Sequence, residues 1–110
     1  MKVAVIGSRS LSPEIGAYLP DGVTAILSGG AVGVDTAAER YALAHGIPFE
    51  KFAPDYSLHG KRAPLVRNTQ MVDAADMVVA IWDHQSTGTA FTVRYARRQG
   101  KPVRVFILKP

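Results

Sequence analysis

Apolar residues along this chain gather into short unbroken runs, separated by segments whose apolar positions recur at helical spacing. Val3 to Ile6, Ala25 to Leu27 and Met77 to Trp82 are continuous rather than alternating, the pattern of strands buried on both faces. Pro48 to Phe52 carries Glu50 and Lys51 inside it, which suits a sheet edge, and Val103 to Leu108 closes the series. The pattern predicts strands over 2–6, 24–27, 48–52, 77–82 and 103–108. Val34, Ala37, Ala38, Tyr41 and Ala42 predict a helix over 34–45 that Gly46 stops. Further helices are predicted over 12–19, with Ser12 as N-cap and Pro13 at the first helical position, over 65–74 and over 89–99. The stretch 53–64 has no period and reads as a long loop with the placement of a lid, carrying Tyr56, His59, Lys61 and Arg62.

Strict alternation of strands with helices implies an α/β domain with a doubly wound sheet of five parallel strands, order 3-2-1-4-5, and four helices. In that order the sheet reverses direction between strands one and four, where a ligand crevice is expected. At 110 residues the chain is read as a single domain spanning 1–110, so any site lies at the sheet edge or between subunits. A crevice left open on one side by so small a domain is compatible with a homodimer.

Three strands end in small-residue turns: Gly7-Ser8-Arg9, Ser28-Gly29-Gly30 and Ser86-Thr87-Gly88-Thr89. Each leads toward a helix, so free amides at helix starts collect at one sheet edge, which is an arrangement for a phosphate-sized anion. Gly29, Gly30 and Gly33 let the backbone approach such an anion and allow positive φ. Asp35 is placed to hold the turn or a ribose hydroxyl. It reads equally as a cap of the second helix, with Thr36 and Glu39 as an alternative capping box. Lys61, Arg62 and Arg67 are assigned to charge neutralisation, and Arg67-Asn68 opens the third helix. Neither G-x-G-x-x-G nor a Walker lysine is present, so these are not the familiar dinucleotide or ATP motifs.

Composition narrows the chemistry. There is no cysteine, which removes disulfides, thiolate metal sites and a cysteine nucleophile. His45, His59 and His84 share no ligand spacing, so no metal is expected, and no cofactor beyond a nucleotide-type ligand. Ser8, Ser28 and Ser86 sit in no nucleophile elbow, and no catalytic residue is assigned. Net charge is +4, unevenly spread: residues 1–55 carry four Lys and Arg against six Asp and Glu, −2, and residues 56–110 carry nine against three, +6. The basic half admits a nucleic-acid partner, although Arg94, Arg97, Arg98 and Lys101 fall on the polar side of an amphipathic helix, the ordinary place for solvated charge. The first strand starts at once and Gly7 stops it, so neither a signal segment nor a membrane span is expected, and a cytoplasmic location is.

Taken in order, Val5 to Arg9, Ser28 to Asp35, Gly60 to Met71, Ala75-Asp76 and Gly88-Thr89 resemble the SLOG superfamily, the Rossmann-like group that joins DprA and LOG proteins. The closest likeness is to its small stand-alone YspA-type members, and it spans nearly the whole chain. The resemblance implies a Rossmann-like domain that binds a nucleotide or nucleotide derivative, as a sensor or accessory module. Other branches imply two alternatives, hydrolysis of the N-glycosidic bond of a nucleoside monophosphate and DprA-like binding of single-stranded DNA. Arg67, Met71 and Gly88-Thr89 resemble the hydrolase branch, but Thr92 stands where that branch carries its glutamate, and threonine cannot act as a carboxylate. Asp35 and Asp83 are the carboxylates left to replace it.

Overall fold

Val3, Ala4 and Val5 are wholly buried and Ile6 nearly so, a burial on both faces that only a central strand provides. In the computed structural model, which describes residues 1–110, these residues form β1 (Lys2–Gly7). It pairs in parallel with β2 (Ala25–Ser28) on one side and β4 (Met77–Trp82) on the other, Val3 lying opposite both Ile26 and Met77. β3 (Phe49–Lys51) adds to β2 and β5 (Val103–Ile107) to β4, completing the order 3-2-1-4-5 in the expected parallel sense. Glu50 and Lys51 are exposed, as an edge strand requires.

Alternate side chains of the sheet feed two cores. Val3, Val5, Ile26, Val79 and Ile81 pack under α1 (Val34–Ala44) through Val34, Ala38 and Ala42. On the opposite face Ala4, Ile6, Leu27, Val78 and Ala80 lie under α3 (Ala63–Ala74) and α4 (Thr87–Arg98), with Met71, Val72, Val93 and Ala96 as the facing residues. A short helix, α2 (Tyr56–His59), precedes α3. The alternation of small and branched residues along β1 and β4 lets the helices on both sides seat closely.

Two segments differ from expectation. Only Ile15–Ala17 of the stretch 12–19 is helical, as one 3-10 turn preceded by Glu14 in an extended conformation, so Ser12 caps nothing. Pro13 and Pro20 bracket the segment and Gly16 lies within it, seated so closely on Tyr41 that an added Cβ would meet Cε2 at 2.9 Å. Buried Leu11 and Ile15 fix this segment, and tertiary packing overrides the local pattern. The stretch 53–64 is not an open loop. Asp55 caps α2, its Oδ1 accepting from Leu58 N at 3.1 Å and from Ser57 Oγ at 2.7 Å, and a 3-10 turn at Gly60–Arg62 leads into α3. The four α-helices are therefore α1 to α4, with one short helix drawn from the expected loop and the expected first helix reduced to a turn. No helix is long and apolar enough to cross a membrane.

Candidate functional site

At the carboxyl ends of β1 and β4 lies a cleft of about 560 Å³, at the point where the strand order reverses. Gly7 and Arg9 line it from the β1 turn, Asp35 from α1, Arg67 and Asn68 from α3, and Asp83 with Thr87, Gly88 and Thr89 from the β4–α4 turn. Ile6, Leu65 and Met71 give it an apolar patch.

The β1 turn is built for fit. A Cβ at Gly7 would run into Ile81 O and the Val34 side chain. Ser8 is buried, and each of its polar atoms is used: its N donates to Ile81 O at 3.1 Å, its carbonyl accepts from Val34 N at 3.3 Å, and its hydroxyl accepts from Asp83 N at 2.9 Å. Ser8 thus buckles the turn to α1 and to the β4 loop, and does not line the cleft.

The β2 turn follows the same logic. Gly30 and Gly33 have φ of 77° and 80°, and a Cβ at Gly33 would press on Ser8 O and Arg9 O at 2.6 and 2.5 Å. Ser28 is wholly buried, with Oγ 2.9 Å from both Val5 O and Asp35 Oδ1. Asp35 does not cap α1, whose N-cap is Gly33. Its side chain turns back so that Oδ2 accepts from Ala31 N at 3.1 Å, while Thr36 Oγ1 donates to Ala31 O. Burial raises the Asp35 carboxyl above the usual aspartate range, against the opposing pull of those hydrogen bonds and of Arg67.

Arg67 is only 8% exposed, deep for a guanidinium, and the structure explains how. Nη1 donates to Gly29 O at 2.7 Å and Phe52 O at 3.1 Å, and Nε to Asn68 Oδ1 at 2.7 Å and Pro64 O at 3.3 Å. Nη2 has no partner within the chain and is not sealed from solvent, and Arg67 is one of the residues that line the cleft. Gly29 makes room for the arrangement, since a Cβ there would strike the guanidinium. Asn68 Nδ2 donates to Thr92 Oγ1 at 2.9 Å, and Thr92 Oγ1 to Gly88 O at 2.8 Å, tying α3 to the first turn of α4. Thr92 is buried with its hydroxyl fully used, and no glutamate lines the cleft.

The β4–α4 turn is organised by Asp83. Its Oδ1 accepts from Gln85 N at 2.8 Å and Ser86 N at 2.9 Å, and its Oδ2 from Ser10 Oγ at 2.8 Å. These bonds, Gln85 N first, hold its carboxyl well below the usual range. Ser86 caps α4 by accepting from Thr89 N at 3.3 Å, and Trp82 Nε1 donates to Ser86 O at 3.0 Å. The amides of Thr87 and Gly88 make no hydrogen bond within the chain. Gly88 has an ordinary φ, and a Cβ on it would meet nothing within 4 Å.

Of the residues singled out in the sequence, the cleft brings together Gly7, Arg9, Asp35, Arg67, Asn68, Thr87, Gly88 and Thr89. Ser8, Ser28, Gly29, Gly30 and Gly33 shape it from behind. Lys61 and Arg62 do not line it: they are exposed on the 3-10 turn that precedes α3. Ser10 and the loop-fastening role of Asp83 were missed, although Asp83-His84-Gln85-Ser86 carries the aspartate of an Asx turn followed by a helix cap.

Comparisons with known proteins bear on the family and the fold. A model of the YspA, cpYpsA-related SLOG family matches residues 14–59. The Gene 61 protein of Mycobacterium phage D29 is 36% identical over 91 residues, 77% of this chain and 73% of that protein. Among solved structures the fold is similar, with a TM-score of 0.70 and 25% identity, to the DNA processing protein A of Helicobacter pylori, described for its single-stranded DNA binding mode. That likeness covers 96% of this chain, which spans 64% of the other.

Proposed function

The chain belongs to the SLOG superfamily, and from that premise we propose that its cleft binds a nucleotide or nucleotide derivative, as a sensor or accessory domain. The observation that carries the reading is the β4–α4 turn. Two unpaired amides at the start of a twelve-residue helix belong to residues that line the cleft together with Arg67, whose Nη2 has no partner in the chain, and Gly88 keeps that wall bare with no packing reason to do so. A phosphate seated there receives two backbone donors, the helix dipole and a charge-assisted bond. Ile6, Leu65 and Met71 offer apolar contact to the rest of the ligand.

The test is thermal unfolding with AMP, cyclic AMP, ADP-ribose and NAD. A ligand that binds the folded state raises the midpoint with concentration, by about 2.7 kcal/mol of stability at a hundredfold excess over Kd. No shift with any of them at millimolar concentration overturns the reading. Hydrolysis of a nucleoside monophosphate has less support, because Thr92 is spent on Gly88 O and Asn68, and Asp83 on its own loop.

A second reading, single-stranded DNA binding, draws on the likeness to DNA processing protein A and on exposed Arg94, Arg97 and Arg98 of α4. Against it stands the shortage of free aromatic rings beside those charges: Tyr95 is tied to Asp73 Oδ1 at 2.8 Å. Anisotropy of a labelled oligonucleotide separates the two readings. Retention that vanishes at physiological salt is the expected result, and tight binding that survives it and is lost in an R94A/R97A/R98A variant makes DNA the partner.

A further inference from the structure

Behind the cleft, one proton is shared among three oxygens. Ser28 Oγ, wholly buried, lies 2.9 Å from Val5 O and 2.9 Å from Asp35 Oδ1. A serine hydroxyl has a single hydrogen, and both neighbours are acceptors if Asp35 is ionised. One of the two contacts then sets lone pairs against lone pairs at the wholly buried Ser28 hydroxyl, which is costly where no solvent reaches that oxygen. A hydrogen on Asp35 Oδ1 removes the conflict. Oδ1 then donates to Ser28 Oγ, Ser28 Oγ donates to Val5 O, and Oδ2 still accepts from Ala31 N at 3.1 Å, so every polar atom in the chain of bonds has a partner.

We infer that the hydrogen bonds of this cleft wall are built for the acid form of Asp35, a donor to Ser28, and that its ionisation removes positive charge from the site when pH rises. This deepens the nucleotide reading above and rests on it for the second clause only. The groups facing Asp35 fit the assignment. Arg67 of α3 is the charge that acts on it, but its Nη1 is engaged by Gly29 O and Phe52 O, and no hydrogen bond joins the two side chains. Arg9 lies beyond on the β1 turn, Lys51 of β3 covers Gly30, and Asp83 lines the cleft as a held carboxylate. Burial is the largest influence on Asp35 and favours the neutral acid. With Asp35 neutral, Arg9 and Arg67 oppose Asp83 alone and the cleft is positive. With Asp35 ionised the four charges cancel.

The experiment is a pH titration of the Asp35 carboxyl carbon by triple-resonance NMR on the intact protein, with and without sulfate as the probe anion. The midpoint is expected above the ordinary 3.8, and to move higher in saturating sulfate, since an anion in the cleft favours the proton. A midpoint at or below 3.8 overturns the inference whatever the cleft binds. A raised midpoint that sulfate leaves unmoved upholds the protonated carboxyl and overturns the anion reading of the site. Thermal unfolding gives an independent arm. A group whose folded value is raised contributes stability at low pH that is lost as pH climbs from its unfolded to its folded value. Asp35→Asn mimics the acid, with its amide nitrogen donating to Ser28 and its oxygen accepting from Ala31 N. The variant is expected to melt at or above wild type at pH 7 and to lack that loss, and a lowered midpoint at pH 7 counts against the inference.

Discussion

On the β1 and β2 side of the cleft, a Cβ at Gly7 runs into Ile81 O and Val34 and one at Gly33 into the backbone of Ser8 and Arg9; on the β4–α4 side, a Cβ at Gly88 meets nothing within 4 Å. The same residue type answers to packing in one wall and to open space in the other. Glycine in the first wall lets two loops and a helix approach closely, so its loss disturbs the fold before any ligand arrives. Glycine in the second wall costs helix stability and gains no contact within the chain, so the reason for it lies in what enters the cleft.

Substitutions that treat the walls alike make the contrast measurable. The largest effect is expected from Gly7→Ala, whose new methyl meets a backbone carbonyl that cannot swing away; urea unfolding should show a loss of about 3 kcal/mol. A wild-type midpoint for that variant would erase the contrast. Next comes Arg67→Ala, which strips the partners from Gly29 O and Phe52 O and should lower stability by about 2–3 kcal/mol in the same assay. Arg67→Lys is expected to recover only part, because one ammonium cannot reproduce Nη1 and Nε together. Ser86→Ala removes the α4 cap and should reduce stability by about 1 kcal/mol. Gly88→Ala changes stability least, within about 0.5 kcal/mol and toward a gain, yet is expected to weaken AMP binding tenfold or more by calorimetry. Unchanged affinity in that variant would move the phosphate away from the α4 turn.

How far the sequence was legible follows from which forces act locally. Strands buried on both faces write themselves as unbroken apolar runs, so β1, β2 and β4 and their order could be read directly. The segment 12–19 could not, because its helical spacing competes with two prolines and a glycine, and the burial of Ile15 and the close seat of Gly16 on Tyr41 are tertiary facts. α2 was hidden for the opposite reason: two hydrogen bonds to the capping Asp55 carboxylate, from Leu58 N and Ser57 Oγ, hold a four-residue helix that has no buried face to leave a period. In the cleft, glycines and the α4 start were visible as local signals. The seat of Arg67 was not, since it joins α3 to a carbonyl 38 residues earlier. Asp35 reads as a cap from its position at a helix start, and only the burial of Ser28 shows where its carboxyl turns.

The bond from Ser10 to Asp83 joins residues 73 apart in the chain, and the Ser8–Asp83 bond spans 75. Both halves of the cleft therefore exist only after β1 has found β4, a non-local parallel pairing of the kind that forms slowly. During synthesis the first half of the chain has no cleft to offer, and binding competence requires that long-range pairing. Because opening either loop alone breaks the other's bonds, a bound ligand should protect the amides of β1 and β4 against hydrogen exchange together, at the level of whole-molecule opening rather than as a local fluctuation.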